Sequence, residues 1–276
     1  SNQMMKEVIT TEGKLFNYDK IEYSINNITK ILSDQGYAFV SIEPVFRRNA
    51  EDSTIDIDYV IQPSSKIYID RIDITGNVRT VDKVIRREFR INEGDPFNAS
   101  KIRRSEQRVN DLNYFEKVSI EPVRTENPDK VNLEVDVTEK STGDINFGAG
   151  YSTTDGVLGR ISIKERNLLG TGQELGLMYE KAQKKSNFDI SYTENYFLDK
   201  EISVGFDIFN ITQDRKTVSS YSSDSYGFKP KLSYDLTEYL THYINYTFQS
   251  TNIKDTSFAS RPIREQTGRT ITSGIS

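Results

Sequence analysis

The stretch Val137–Ser152, VTEKSTGDINFGAGYS, divides the chain into two textures. Before it, short helical and strand patterns alternate as in a water-soluble domain. After it nearly everything alternates with period two, starting with Ile145, Phe147, Ala149 and Tyr151 against Asn146, Gly148, Gly150 and Ser152. Successive side chains of a strand point to opposite faces. An apolar set opposed to glycines and polar residues therefore makes a wall with one greasy and one wet side. The stretch reads as the junction between a soluble arm and a membrane β-barrel.

Bulk composition narrows the function. The 276 residues include no Cys, no Trp and a single His, which excludes a disulfide framework and leaves no ordinary zinc ligand set. A net charge of −5 gives no general attraction to nucleic acid. No apolar run reaches the roughly 18 residues of a spanning helix, which says nothing against barrel strands. The start, SNQMM, carries no charged-then-apolar leader, and TGRTITSGIS stops within an alternating pattern. Both ends read as truncations, so the chain is expected to be part of a longer protein.

Upstream of the junction the sequence repeats. Glu12-Gly13-Lys14-Leu15-Phe16-Asn17 matches Glu93-Gly94-Asp95-Pro96-Phe97-Asn98, and Ser41-Ile42-Glu43-Pro44-Val45 matches Ser119-Ile120-Glu121-Pro122-Val123. The second copy is expected to be complete, in the order β-α-α-β-β. A strand over Lys66–Thr75 ends at the turn Gly76-Asn77, and a first helix places Val81, Val84, Ile85 and Phe89 on one face. Asn98 caps a second helix with Ile102, Val109 and Leu112 inward. Strands over Glu116–Arg124 and Lys130–Thr138 close the module, the last with Val131, Leu133, Val135 and Val137 toward the helices. The first copy lacks its opening strand and most of its first helix, so it is expected to be the less stable. Both copies carry a proline, Pro44 or Pro122, in the middle strand. Proline cannot donate to a ladder, which puts that strand at a sheet edge. The edge at Val118, Ser119, Ile120, Glu121 and Pro122 could accept an extended peptide, or the proline could merely guard it.

From Gly143 on, seven strands and the start of an eighth are expected, near 144–152, 157–166, 172–182, 187–197, 201–212, 225–236, 240–252 and from Thr267. Ile202, Val204, Phe206 and Ile208 are assigned to lipid, against Ser203, Gly205 and Asp207. Strands of about ten residues suit a tilted barrel wall. Short turns (Thr154–Gly156, Leu198–Lys200, Asp235–Tyr239) and long polar loops (Asp214–Ser223, Lys254–Glu265) suggest one short rim and one long rim. A soluble sandwich would alternate too, and alternation alone leaves that architecture open.

A family resemblance now becomes specific. Gly76-Asn77, Glu93-Gly94 and Tyr114-Phe115 resemble polypeptide-transport-associated (POTRA) modules. The series Glu139–Gly143, Phe147–Tyr151, Asn167-Leu168-Leu169-Gly170-Thr171-Gly172 and Asn195-Tyr196-Phe197 resembles, from about residue 8 to the end, the BamA-type outer-membrane protein assembly factors. The implied fold is a truncated POTRA module (1–64), a complete one (65–140) and about the first eight of sixteen strands of an antiparallel transmembrane β-barrel (141–276). The implied place is the bacterial outer membrane, with the modules in the periplasm.

The resemblance implies a folding catalyst rather than an enzyme, with no cofactor and no nucleic-acid partner. Its partners would be unfolded outer-membrane protein clients, accessory lipoproteins of the assembly complex, and membrane lipid. The loop at Glu93 matches the family's lipoprotein contact, with Arg86 and Arg87 as candidate ion-pair neighbours. The first barrel strand, with Ile145, Phe147, Gly148, Gly150 and Tyr151, would form a weakly closed seam, although its glycines could equally serve to bend the wall. A TamA-like autotransporter factor and a two-partner secretion transporter are the alternatives within the superfamily, and a passive outer-membrane channel is the alternative outside it. Among enzymes no nucleophile–base spacing or phosphate-binding loop appears, and His242 lies on an alternating strand as an interfacial residue.

Overall fold

The computed structural model describes residues 2–62, 65–237 and 240–276. They form two compact units, one spanning Ser1–Val78 and Asp82–Lys140, the other Arg79–Val81 and Ser141–Ser276.

The first unit begins with α1 (Asn2–Met5), α2 (Tyr18–Asp34) and an antiparallel pair, β1 (Ile42–Asn49) and β2 (Thr54–Ile61). It continues through β3 (Tyr68–Thr75), α3 (Asp82–Arg86), α4 (Ala99–Asp111), β4 (Phe115–Arg124) and β5 (Lys130–Glu139). Strand β5 lies between β3, its parallel partner, and β4, its antiparallel partner. Its apolar side is completely covered: Val131, Leu133, Val135 and Val137 join Ile69, Ile85, Ile91, Ile102 and Val109 in one core. Each such side chain contributes about 1.5–3 kcal/mol of burial, so this core holds the module together. Helix α3 is shorter than its apolar spacing suggests. Val84, Ile85 and Phe89 are buried, but Val81 precedes the helix and is exposed.

The repeat extends to individual hydrogen bonds. Asn17 caps α2 by accepting from the Lys20 N–H, and Asn98 caps α4 by accepting from the Lys101 N–H. One turn further in, Ser24 and Ser105 are both wholly buried. Each donates its hydroxyl to the carbonyl four residues back, Lys20 (2.7 Å) or Lys101 (2.9 Å). Each also accepts a backbone N–H from the preceding segment, Ile9 (3.0 Å) or Arg90 (2.8 Å). A buried hydroxyl left unpaired would be costly, and here both of its roles are filled twice over in the same way. The two copies are also joined: the Asp34 carboxylate accepts from the Ser100 N–H and hydroxyl at the start of α4, at 2.9 and 2.8 Å.

The second unit is one antiparallel sheet of eight strands in sequential order: β6 (Gly143–Ser152), β7 (Gly156–Leu168), β8 (Gln173–Ala182), β9 (Lys185–Glu194), β10 (Ile202–Asp214), β11 (Ser222–Thr237), β12 (Leu240–Lys254) and β13 (Gly268–Ile275). Short helical turns, 3-10 at Phe197–Asp199 and α5 (Lys216–Ser219) and α6 (Arg261–Glu265), sit in its connections. Among the described residues no second layer covers either face, and none of its residues joins the hydrophobic core. The sandwich is thereby excluded. The sheet is open, with β6 at one end and β13 at the other.

Strand pairing corrects the expected sorting of the connections. In an antiparallel meander successive connections fall on alternate rims, so 153–155 and 183–184 share a rim with the long loops 215–221 and 255–267. The opposite rim carries 169–172 and 195–201. Of the expected turn Asp235–Tyr239, Glu238 and Tyr239 lie outside the described residues. Loop length thus marks one rim without making all its members long.

Candidate functional site

In the complete module, Glu93 sits in the turn after α3, next to Gly94 at φ +88°. Strand β3 slips its register against β5 between Ile69 and Ile72, and pairing resumes with Ile72 opposite Leu133. Two side chains hold the Ile72 backbone beside this irregularity. Glu93 Oε1 accepts the Ile72 N–H at 3.0 Å, and Arg86 Nη2 donates to the Ile72 carbonyl at 3.1 Å. Arg86 Nη1 lies 3.5 Å from Glu93, and Asp82 grips the same guanidinium through two bonds of 2.8 and 3.1 Å. The Asp82 hydrogen bond raises the Arg86 pKa still further, so the charge is permanent. Glu93 keeps half of its side chain exposed, leaving one carboxylate edge available at the surface.

Arg87 lies 3.9 Å from Glu88, which is nearly buried and also held by Arg108 at 2.7 Å. Adjacent residues on a helical turn point in different directions, so Arg86 stands beside Glu93 while Arg87 reaches Glu88.

Strand β4 is an edge: β5 is its only ladder partner among the described residues. Val118 and Ile120 point into the core, while Ser119, Glu121 and Pro122 face outward to differing degrees. The five residues thus present a backbone edge carried on a buried apolar footing.

Among the described residues strand β6 pairs only with β7, from Gly143 opposite Glu165 to Ser152 opposite Gly156. Ile145, Phe147 and Tyr151 are 61%, 79% and 75% exposed. At Gly148 and Gly150 an added Cβ would meet only ordinary contacts at 3.8 Å and 3.5 Å, and neither has a positive φ. Neither space nor backbone geometry demands glycine there. What remains is its weak strand propensity.

On the apolar face of the sheet Phe206 lies between Tyr192 and Phe228, with ring centroids at 5.7 and 5.9 Å. Register aligns Ile208 with Ile190 and Phe228, and Val204 with Leu232. The other face of the same strands is ionic. Asp207 reaches Lys231 at 2.5 Å and Lys229 at 4.0 Å, and Lys164 reaches Glu174 at 2.9 Å. His242 Nδ1 is 2.9 Å from the Tyr234 hydroxyl on the apolar face. Among the described residues no cluster of His, Cys, Asp or Glu is arranged to hold a metal ion.

One feature of the second unit escapes sequence inspection. Asn167 is buried and donates to Thr80 Oγ1 at 2.9 Å, while its Oδ1 accepts the Gly172 N–H at 2.8 Å. The Gly170 carbonyl accepts the Val81 N–H at 2.9 Å. Gly170 has φ +77°, and a Cβ there would lie 1.9 Å from the Arg79 carbonyl oxygen. The Asn-Leu-Leu-Gly-Thr-Gly turn is thus shaped around Arg79–Val81.

Comparison with known proteins agrees with this architecture. The POTRA family, described as a surface antigen variable number repeat, matches residues 1–64 and 67–140, and the Omp85 superfamily domain matches residues 167–276. The outer membrane protein assembly factor BamA of Nitratidesulfovibrio vulgaris is 34% identical over 95% of the chain and 33% of its own length. That of Neisseria meningitidis serogroup B is 32% identical over 86% of the chain and 30% of its own. The chain therefore spans about a third of these curated relatives. The crystal structure of BamA from Haemophilus ducreyi lacking POTRA domains 1-3 is 26% identical and superimposes with a TM-score of 0.81, over the whole of this chain and 55% of the other. CdiB from Acinetobacter baumannii shares the fold at 15% identity, with a TM-score of 0.55.

Proposed function

This chain belongs to the POTRA-bearing Omp85 superfamily, with the BamA-type outer-membrane assembly factors, and from that premise we propose that it serves the assembly and insertion of β-barrel proteins into the outer membrane. The modules are periplasmic and the strands lie in the outer membrane. The observation that supports the reading is the succession, in one chain, of two repeated modules and an antiparallel sheet of eight sequential strands whose apolar face has no second layer over it among the described residues. Catalysis here is of folding, with no covalent step. An unfolded client adds to the β4 edge at Val118–Pro122 by strand pairing. The β6 edge, at Ile145–Tyr151, is the seam through which insertion proceeds, and Ile202, Val204, Phe206 and Ile208 face lipid. An accessory lipoprotein docks on the exposed side of Glu93, with Arg86 setting the local charge. The domain bounds 1–64, 65–140 and 141–276 are part of this proposal.

The test uses the full-length protein in lipid vesicles with its lipoproteins and an unfolded barrel client, scoring client folding by heat-modifiable migration. Gly148→Val fits the available space and raises strand propensity, so the protein's own barrel should fold while client folding slows severalfold. Unchanged client folding with and without the protein would overturn the function, and an unchanged rate in Gly148→Val would remove the seam alone. Glu93→Lys should weaken lipoprotein co-purification with the barrel still folded. Glu93→Gln keeps an oxygen for the Ile72 N–H and so isolates the charge. Undiminished co-purification in both would remove that contact.

A further inference from the structure

Near the long-loop rim the apolar wall of the second unit carries a built polar group at Ser250. On its outer face Ser250 stands where its neighbours on either side are large, and the missing volume opens a groove of about 400 Å³ lined by Ile208, Tyr226, Phe228, Phe248 and Ile271. At the upper end of this groove lies Arg269, the second residue of β13. Its Nε donates to Ser250 Oγ at 2.9 Å, its Nη2 donates to the Tyr226 hydroxyl, and its guanidinium carbon is 5.5 Å from the Tyr226 ring centre. Among the described residues no carboxylate lies within ion-pair distance of Arg269, and the residue is exposed.

Its depth fits a headgroup. Tyr226 and Tyr234 lie eight residues apart on one face of β11, roughly 26 Å along a strand and roughly 20 Å along the membrane normal at a tilt of about 40°. That approaches the ~25 Å apolar band between the two aromatic girdles of such a wall. Tyr226 and Arg269 stand at the girdle of the long-loop rim. The outer-face cations follow the same rule: on the described strands Lys181, Lys254 and Arg269 all lie at this rim. Lys254 is neutralised by Asp224 at 3.0 Å, which leaves Arg269 as the cation poised over an apolar groove.

We propose that Arg269, positioned by Ser250 and Tyr226, binds the phosphate headgroup of an anionic outer-leaflet lipid whose acyl chain fills the groove between Tyr226, Phe228, Phe248 and Ile271. Arginine suits the task because its fork still offers N–H donors to phosphate oxygens, and the adjoining groove supplies the apolar surface that a free anion could not use. The inference rests on the membrane-wall reading of the second unit.

The full-length protein is purified in a neutral detergent and checked for a folded barrel by heat-modifiable migration, so failure of the wall reading shows separately. Native mass spectrometry then measures retention of added diphosphoryl lipid A, of phosphatidylcholine, and of lipid A in the presence of excess inorganic phosphate. Wild type should retain lipid A in preference to phosphatidylcholine. Arg269→Gln should reduce that retention about tenfold, Arg269→Lys less, and the loop control Arg264→Gln not at all. Equal retention by Arg269→Gln, equal retention of phosphatidylcholine, or complete displacement by inorganic phosphate would each overturn the proposal.

Discussion

Strands β5 and β10 alternate apolar and polar residues with equal regularity, yet their apolar sides meet opposite surroundings. In β5, Val131, Leu133 and Val135 lie beneath helices in a closed core. In β10, Ile202, Val204, Phe206 and Ile208 touch only their neighbours along the sheet, and nothing in the described residues covers them. Period two therefore reports which side is apolar, and leaves open whether that side is turned to protein or to lipid. The polar sides separate the two cases. Asn132, Glu134 and Asp136 sit on a water-facing surface, whereas Asp207, Lys229 and Lys231 form an ionic lattice on the inner face of a much wider wall.

The comparison can be broken most forcefully in the module core. Leu133→Ala removes a fully buried side chain and should cost about 2–5 kcal/mol, read as faster amide exchange throughout β3, β4 and β5 of the intact protein. The same truncation at Phe147, which has no protein over it, should leave exchange in β6 and β7 nearly unchanged. Comparable losses at the two sites would mean that the apolar side of the sheet is also a protein core.

A charge sharpens the contrast in the other direction. Phe206→Arg places a guanidinium among Tyr192 and Phe228 on the lipid side and should cost about 2–4 kcal/mol near the bilayer midplane, seen as loss of the heat-modifiable folded form. Ser203→Arg, on the opposite face, should be mild. Asp207 is a poorer control than its sequence position suggests, because it balances Lys231 and Lys229 and its replacement by Arg would gather three like charges. Equal tolerance at Phe206 and Ser203 would contradict the assignment of faces.

The same contrast explains what could be read from the sequence. The eight strands and the closing strand of the module were visible because each alternates apolar with polar residues along its length, and in β5 burial follows every second residue. The edge position of β4 was visible through Pro122. Ser24 and Ser105 carried no such signal. A serine on a helix has no periodic meaning until a backbone N–H from another segment is placed against it, although the equal spacing from Asn17 and Asn98 within the repeat was available as a clue. That Arg87 reaches Glu88 was not legible, because adjacent residues on a helical turn point in different directions and the sequence does not show which of them meets which carboxylate. The rim assignment failed in part because a connection's side follows from strand parity rather than from its length. Thr80 and Asn167 lie far apart in sequence, and nothing local marks them as partners.

The smallest expected effect lies outside the membrane, between the two long loops of the outer rim. Asp255 accepts from the Ser222 hydroxyl at 2.7 Å and pairs with Lys216 at 3.0 Å. The Ser222 hydrogen bond, and then Lys216, hold the Asp255 carboxyl below its usual range, while the same pairing raises Lys216. A depressed carboxylate contributes stability that is present above the unfolded value of about 4 and disappears as pH falls through the lower folded value. Both side chains are about half exposed, so salt should weaken the link. A fluorophore pair on loops 215–221 and 255–267 should therefore separate only on acidification below about pH 4, and high salt should loosen it at neutral pH. Asp255→Asn should abolish that acid transition. An unchanged acid transition in Asp255→Asn would assign the loop contact to other groups.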